Sequence, residues 1–130
     1  KSLLVPLMSN AKILILGASN NPSRFSYMAA NALSAGDYDI VPVGLKRGTV
    51  AGKSILDIRT RPVIDNVDTI TLYMNPQNQS DYLDYILSLN PRRIIFNPGT
   101  ENRDLIRLAE EHEIEVVVDC TLVVLSSGYF

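Results

Sequence analysis

The sequence predicts an α/β domain built on a five-stranded parallel sheet with helices on both faces, and three observations carry that prediction. Five short runs rich in Ile, Val and Leu recur along the chain, most of them without polar alternation, which is the pattern of strands buried on both sides. Segments of helical period alternate with these runs. Asn-Pro follows three of them, at Asn21-Pro22, Asn75-Pro76 and Asn97-Pro98, and proline drives the residue before it out of helical geometry, so each dipeptide reads as a sharp strand-to-helix turn.

The strands are predicted at 12–16 (KILIL), 39–43 (DIVPV), 69–73 (TITLY), 92–96 (RRIIF) and 115–119 (EVVVD). The first helix is bracketed by Asn21 as N-cap, Pro22 at the first helical position and Gly36 past the end; Tyr27, Ala30 and Ala35 are its positions for packing on a sheet. A second helix over 77–89 repeats Tyr82, Leu83, Ile86 and Leu87 at helical spacing, and a third over 101–112 carries Leu105, Ile106, Leu108 and Ala109, with Thr100 to cap it. Residues 45–66 form a longer irregular connection with Gly48, Gly52 and Pro62, and a short helical turn is expected near 55–61. Alternation of this kind gives a doubly wound sheet with right-handed crossovers, in the expected order 3-2-1-4-5. All three Asn-Pro turns then lie at the carboxyl rim, where open parallel sheets bind ligands, and the turns after strands one and four flank the crevice.

The 130 residues, 46% of them hydrophobic, suffice for one domain with a buried core, expected over 12–130. Residues 1–11 read as an extension or a remnant, because the sequence does not begin with Met, and Pro6 interrupts their apolar patch, which is too short for the apolar region of a signal peptide. A net charge of −2 offers no general attraction to nucleic acid or anionic membrane, and no apolar run approaches a membrane span. The single cysteine, Cys120, excludes an intrachain disulfide and a multi-cysteine zinc site, and fits a reducing cytoplasm.

The stretch GASNNPSR, Gly17 to Arg24, leaves the first strand and opens the first helix. Its small residues let a ligand approach the backbone, and the unpaired N–H groups of the helix start, backed by the dipole, suit a phosphate. Arg24 opposes the helix dipole, a cost that a bound anion reverses. At the end of strand two, dinucleotide-binding folds carry an acidic residue for the ribose hydroxyls. Here the sequence reads PVGLKRG, Pro42 to Gly48, with Lys46 and Arg47 in that place. Plain NAD is disfavoured, and NADP or coenzyme A fits the basic pair.

Five blocks, GASNNPSRFSYMAANAL, DIVPVGLKRGTVAGKSIL, VDTITLYMNPQNQ, IIFNPGTEN and DCTLVVL, together resemble the small bacterial coenzyme A-binding proteins. These are stand-alone Rossmann-like domains akin to the CoA-binding domain of the succinyl-CoA synthetase alpha subunit. The resemblance runs from about Lys12 to the C-terminus. It implies a pyrophosphate seated at Gly17, Ala18 and Ser19 with Arg24 nearby, basic help for the 3′-phosphate from Lys46 or Arg47, and Gly44 among the cofactor-binding residues. By the same likeness Asn75 and Pro76 form part of the wall along the adenosine or pantetheine, and Asn97, Pro98 and Gly99 face it.

The larger ligase's phosphohistidine has no counterpart, because the one histidine, His112, falls near the end of a predicted helix. No cluster of metal ligands and no nucleophile elbow is visible, so neither metal binding nor catalysis is expected. Cys120 lies beyond strand five on the ligand side; it reads as a core thiol, with a mixed disulfide to coenzyme A as the alternative. The expectation is therefore a non-enzymatic coenzyme A or acyl-CoA binder. The alternatives are an NADP-dependent oxidoreductase, resting on the same Lys46 and Arg47, and an interaction protein without ligand. The apolar tail LVVLSSGYF is expected to pack within the chain, with a homodimer or another protein partner as its other use.

Overall fold

The computed structural model describes residues 11–130; the expected extension lies, but for Ala11, outside them. The elements are β1 (Lys12–Leu16), α1 (Phe25–Ala35), β2 (Asp39–Gly44), β3 (Thr49–Val50), β4 (Lys53–Ser54), β5 (Leu56–Asp57), a 3-10 turn (Ile58–Thr60), β6 (Val67–Leu72), α2 (Pro76–Gln79), α3 (Leu83–Ser88), β7 (Arg93–Phe96), α4 (Arg103–Glu111), β8 (Glu115–Val118) and α5 (Thr121–Ser126). Six strands form one sheet in the order β5-β2-β1-β6-β7-β8, every pairing in it parallel. β3 and β4 make a separate antiparallel hairpin.

This corrects the expected five strands and their order. The segment 69–73 was expected beyond β2, but β6 pairs directly with β1. The place beside β2 is taken by β5, two residues that pair Leu56 with Val43 and Asp57 with Gly44. Two residues are too few to show a period, so the connection 45–66 concealed a strand. The expected helical turn near 55–61 is the 3-10 turn, capped by the Asp57 side chain accepting from the Arg59 N–H.

Alternate residues of the central strands face opposite layers. Leu14, Leu16, Ile70, Leu72, Ile94 and Phe96 pack with Ile86 of α3 and with Leu105 and Ala109 of α4. Ile13, Ile15 and Ile40 pack with Ala30 and Leu33 of α1. α5, which was not expected as a helix, lies beside α1. There Phe130 meets Tyr38 edge-on at 5.1 Å and lies under the guanidinium of buried Arg93 at 4.6 Å. The tail thus packs within the chain through Phe130, while Tyr129 stays exposed. No helix among the described residues is long and apolar enough to cross a membrane.

Two caps differ from expectation. α1 begins at Phe25, because Asn21 closes a turn of its own by accepting from the N–H and hydroxyl of Ser23 at 3.0 and 2.8 Å; Arg24 is left at the N-cap. α4 is capped by Asn102, whose Oδ1 accepts from Asp104 and Leu105. Thr100 instead donates its hydroxyl to the Asn97 carbonyl at 2.7 Å.

Candidate functional site

The chain reverses its direction of winding between β1 and β6, so the crevice expected at the switch point opens beside the turns after these two strands. The turn after β7, expected to flank it directly, forms the far wall one strand away. A cleft of about 640 Å³ lies there, lined by the 17–20 and 23–26 segments, Leu45 and Lys46, Tyr73 to Asn75, Asn78, and Pro98 to Thr100.

Close backbone approach shapes the first loop. Gly17 has φ +98°, and a Cβ there would come within 2.9 Å of the Met74 nitrogen; only glycine lets β1 end against β6 in this way. A Cβ on Gly44 would sit 2.6 Å from the Ala18 carbonyl oxygen, so β2 also needs its glycine to pass the loop. The N–H groups of Gly17 and Ala18 both donate to the Val43 carbonyl, at 2.8 and 3.0 Å. These two amides, in the loop where the resemblance seats a pyrophosphate, are spent on the fold. The N–H groups of Ser19, Asn20, Phe25 and Ser26 have no acceptor among the described residues. The Ser19 hydroxyl oxygen accepts from Asn21 N–H at 3.0 Å, leaving its own proton for an acceptor outside. The donors left without a partner are therefore at Ser19 and Asn20 and at the start of α1, where the sequence places the free N–H groups of the helix.

Arg24 and Lys46 line the cleft, both exposed, and neither is in an ion pair among the described residues. No lining residue is acidic. The exit from β2 is held by Arg59, which donates to the Leu45 carbonyl at 3.2 Å while chelating the Asp57 carboxylate through Nε and Nη2 at 2.9 and 3.2 Å. Arg47 lies near this pair and outside the lining set, where its charge helps Arg59 hold the Asp57 carboxyl below its ordinary range.

Of the residues singled out in the sequence, Gly17, Ala18, Ser19, Arg24, Lys46, Asn75, Pro98 and Gly99 line this one cleft. Gly44, Arg47, Pro76 and Asn97 are outside the lining. Asn97 is buried and fully used: its Nδ2 donates to Thr71 Oγ1 and the Leu72 carbonyl, both at 2.8 Å, and its Oδ1 accepts from Thr121 N–H at 2.8 Å. It fastens β7 to β6 and α5. Asn75 lines the cleft but spends its Oδ1 capping α2 through Asn78 N–H at 2.8 Å, and the Gly99 N–H donates to Glu101 at 2.8 Å.

Sequence reasoning missed Phe25, Leu45, Tyr73, Met74, Asn78 and Thr100, neighbours of motif residues that carry no motif of their own. It also missed Gln79, fully buried behind the wall. Its Nε2 donates to the Met74 and Thr100 carbonyls at 2.7 and 2.8 Å, and its Oε1 accepts from Asn102 at 3.0 Å. His112 ends α4 at the surface with Nδ1 2.7 Å from the Leu108 carbonyl oxygen. Cys120 is half-buried and does not line the cleft.

A model of the family described as "CoA binding domain" matches residues 11–126. A crystal structure of an uncharacterized protein is 52% identical, covers 92% of this chain and 98% of its own, and superposes with a TM-score of 0.88. A Thermus thermophilus structure, "cell-free ID.343", is 24% identical over 92% of this chain and 90% of its own, with a TM-score of 0.79. The fold is also similar to part of a Ca. Korarchaeum cryptofilum protein, "dinucleotide forming Acetyl-coenzyme A synthetase 1 in complex with phosphate and ADP". That match is at 20% identity and a TM-score of 0.67, over 85% of this chain and 26% of the other.

Proposed function

The chain belongs to the CoA binding domain family, and on that premise we propose that its cleft holds coenzyme A or a small acyl-CoA by the phosphates, on a Rossmann-like scaffold and without catalysis. One observation carries this reading. In a chain of net charge −2, the cleft is lined by Arg24 and Lys46, faces the free N–H groups at the start of α1, and includes no carboxylate. A site of that sign selects a polyanion. Arg24 and the amides of Ser19, Asn20 and Phe25 would hold the pyrophosphate, and Lys46, with Arg47 close by, the 3′-phosphate. The bound cofactor supplies a thiol for acyl carriage, and the chain's part is to hold it. With one cysteine and a cofactor of the cell interior, the cytoplasm is the fitting compartment.

The experiment is thermal unfolding with coenzyme A and NADP added separately, since NADP shares the demand for a basic pair. Coenzyme A should raise the apparent stability and NADP should raise it less. Arg24→Ala and Lys46→Ala should each weaken coenzyme A about fivefold, the equivalent of about 1 kcal/mol for one exposed charge-assisted contact, without lowering the stability of the free protein. Affinity for coenzyme A unchanged in both variants would overturn the assignment.

A further inference from the structure

The chain has three phenylalanines, and two are used internally: Phe96 is fully buried, and Phe130 packs against Tyr38 and under Arg93. The third, Phe25, is 65% exposed at the first position of α1, on the lining of the cleft, with no aromatic or cationic partner among the described residues. Leu45, also on the lining, is 39% exposed. Large apolar groups left in water at a concave site mark a surface that a ligand covers.

Their covalent neighbours say which part of the ligand. Phe25 follows Arg24 and Leu45 precedes Lys46, so each exposed apolar group adjoins a cation. In coenzyme A the phosphates cluster around the adenosine, while the pantetheine arm carries amides and no charge. The other wall, with Met74, Asn75, Asn78 and Thr100, has hydrogen-bonding groups and no cation, as an amide-bearing arm requires.

Resting on the reading of this cleft as the coenzyme A site, we propose that Phe25 is the stacking platform for the adenine base, with Leu45 as the second apolar contact, so that the adenosine end lies against α1 and β2. A π-face takes a base without hydrogen-bond readout. The proposal therefore makes the aromatic ring the requirement at position 25.

Dissociation constants of the wild type, Phe25→Ala and Phe25→Trp for coenzyme A, adenosine 3′,5′-bisphosphate and 4′-phosphopantetheine test it. Phe25→Ala should weaken the two adenine-bearing probes roughly 5- to 150-fold, the range that loss of one base–aromatic stack gives. It should leave 4′-phosphopantetheine unchanged, and Phe25→Trp should restore binding. Coenzyme A bearing a fluorescent etheno-adenine should be quenched on binding to the wild type and less so by Phe25→Ala. Wild-type affinity in Phe25→Ala, or equal losses for all three probes, would overturn the platform while leaving the coenzyme A site standing. Failure of the wild type to bind coenzyme A would overturn both.

Discussion

Asp68, on β6, takes two hydrogen bonds from the Arg92 guanidinium, at 2.9 and 3.1 Å, and one from the Thr69 hydroxyl at 2.7 Å. Burial pushes its carboxyl upward, but the bonds from Arg92 and Thr69 and the Arg92 charge outweigh that, and the group is held below its ordinary range. A carboxyl depressed in the folded state stabilises the protein fully above its unfolded value of about 3.9, and the contribution is lost as pH falls through the folded value. Arg92 is half-exposed, so solvent screens the pair. Asp68→Asn should therefore cost only about 1 kcal/mol at pH 7, and the gap from wild type should narrow once the pH drops under about 4. Urea unfolding at several pH values measures this, and a gap undiminished in acid would show that the charge is not its source.

Gln79 shows what one side chain does for several elements. Its amide joins the turn after β6 to the turn after β7, and both turns wall the cleft. It also ends α2. The single helix expected over 77–89 breaks after Gln79, where the Ser80 hydroxyl donates to the Gln77 carbonyl at 2.8 Å and the chain restarts as α3 at Leu83. The apolar spacing of Leu83, Ile86 and Leu87 was legible because burial repeats with the helix period, and the buried strand runs were legible in the same way. β5 and α5 were not: two residues show no period, and the apolar tail 122–125 has no polar face to mark it as a helix. The basic end of the cleft was readable from glycine, proline and basic residues, whereas the role of Asn97 depends on which carbonyls lie within reach after folding. Gln79→Met, close in shape but without the amide, leaves the Met74 and Thr100 carbonyls without that donor. It should destabilise by about 2–4 kcal/mol in urea unfolding and weaken coenzyme A as the walls part. An unchanged midpoint would show that the amide does not brace the rim.

Two hollows among the described residues lie at opposite ends of the sheet, and charge distinguishes them as places for a polyanion. One, about 830 Å³, lies at the amino ends of the strands, lined by Asp65, Asp84, Arg61, Asn66, Tyr85 and Asn90 among others. Its two carboxylates against one guanidinium oppose a polyanion, and Arg61 is already engaged, donating to the Asp81 carbonyl at 3.0 Å and lying 5.0 Å from the Tyr82 ring centre. The cleft at the carboxyl rim has the opposite sign and the free amides. Volume does not separate the two, whereas electrostatics and the switch point of the sheet both favour the carboxyl end for a polyanion. Hydrogen exchange with and without saturating coenzyme A should therefore show protection at residues 17–26, 44–48, 73–78 and 97–100, the segments at the carboxyl rim. At one hundred times its dissociation constant the ligand adds about 2.7 kcal/mol to global stability. Amides exchanging by global unfolding should slow everywhere by that common factor, and only the rim should gain beyond it. Excess protection at 61–67 and 84–90 instead would move the ligand to the amino end and overturn the assignment of the cleft.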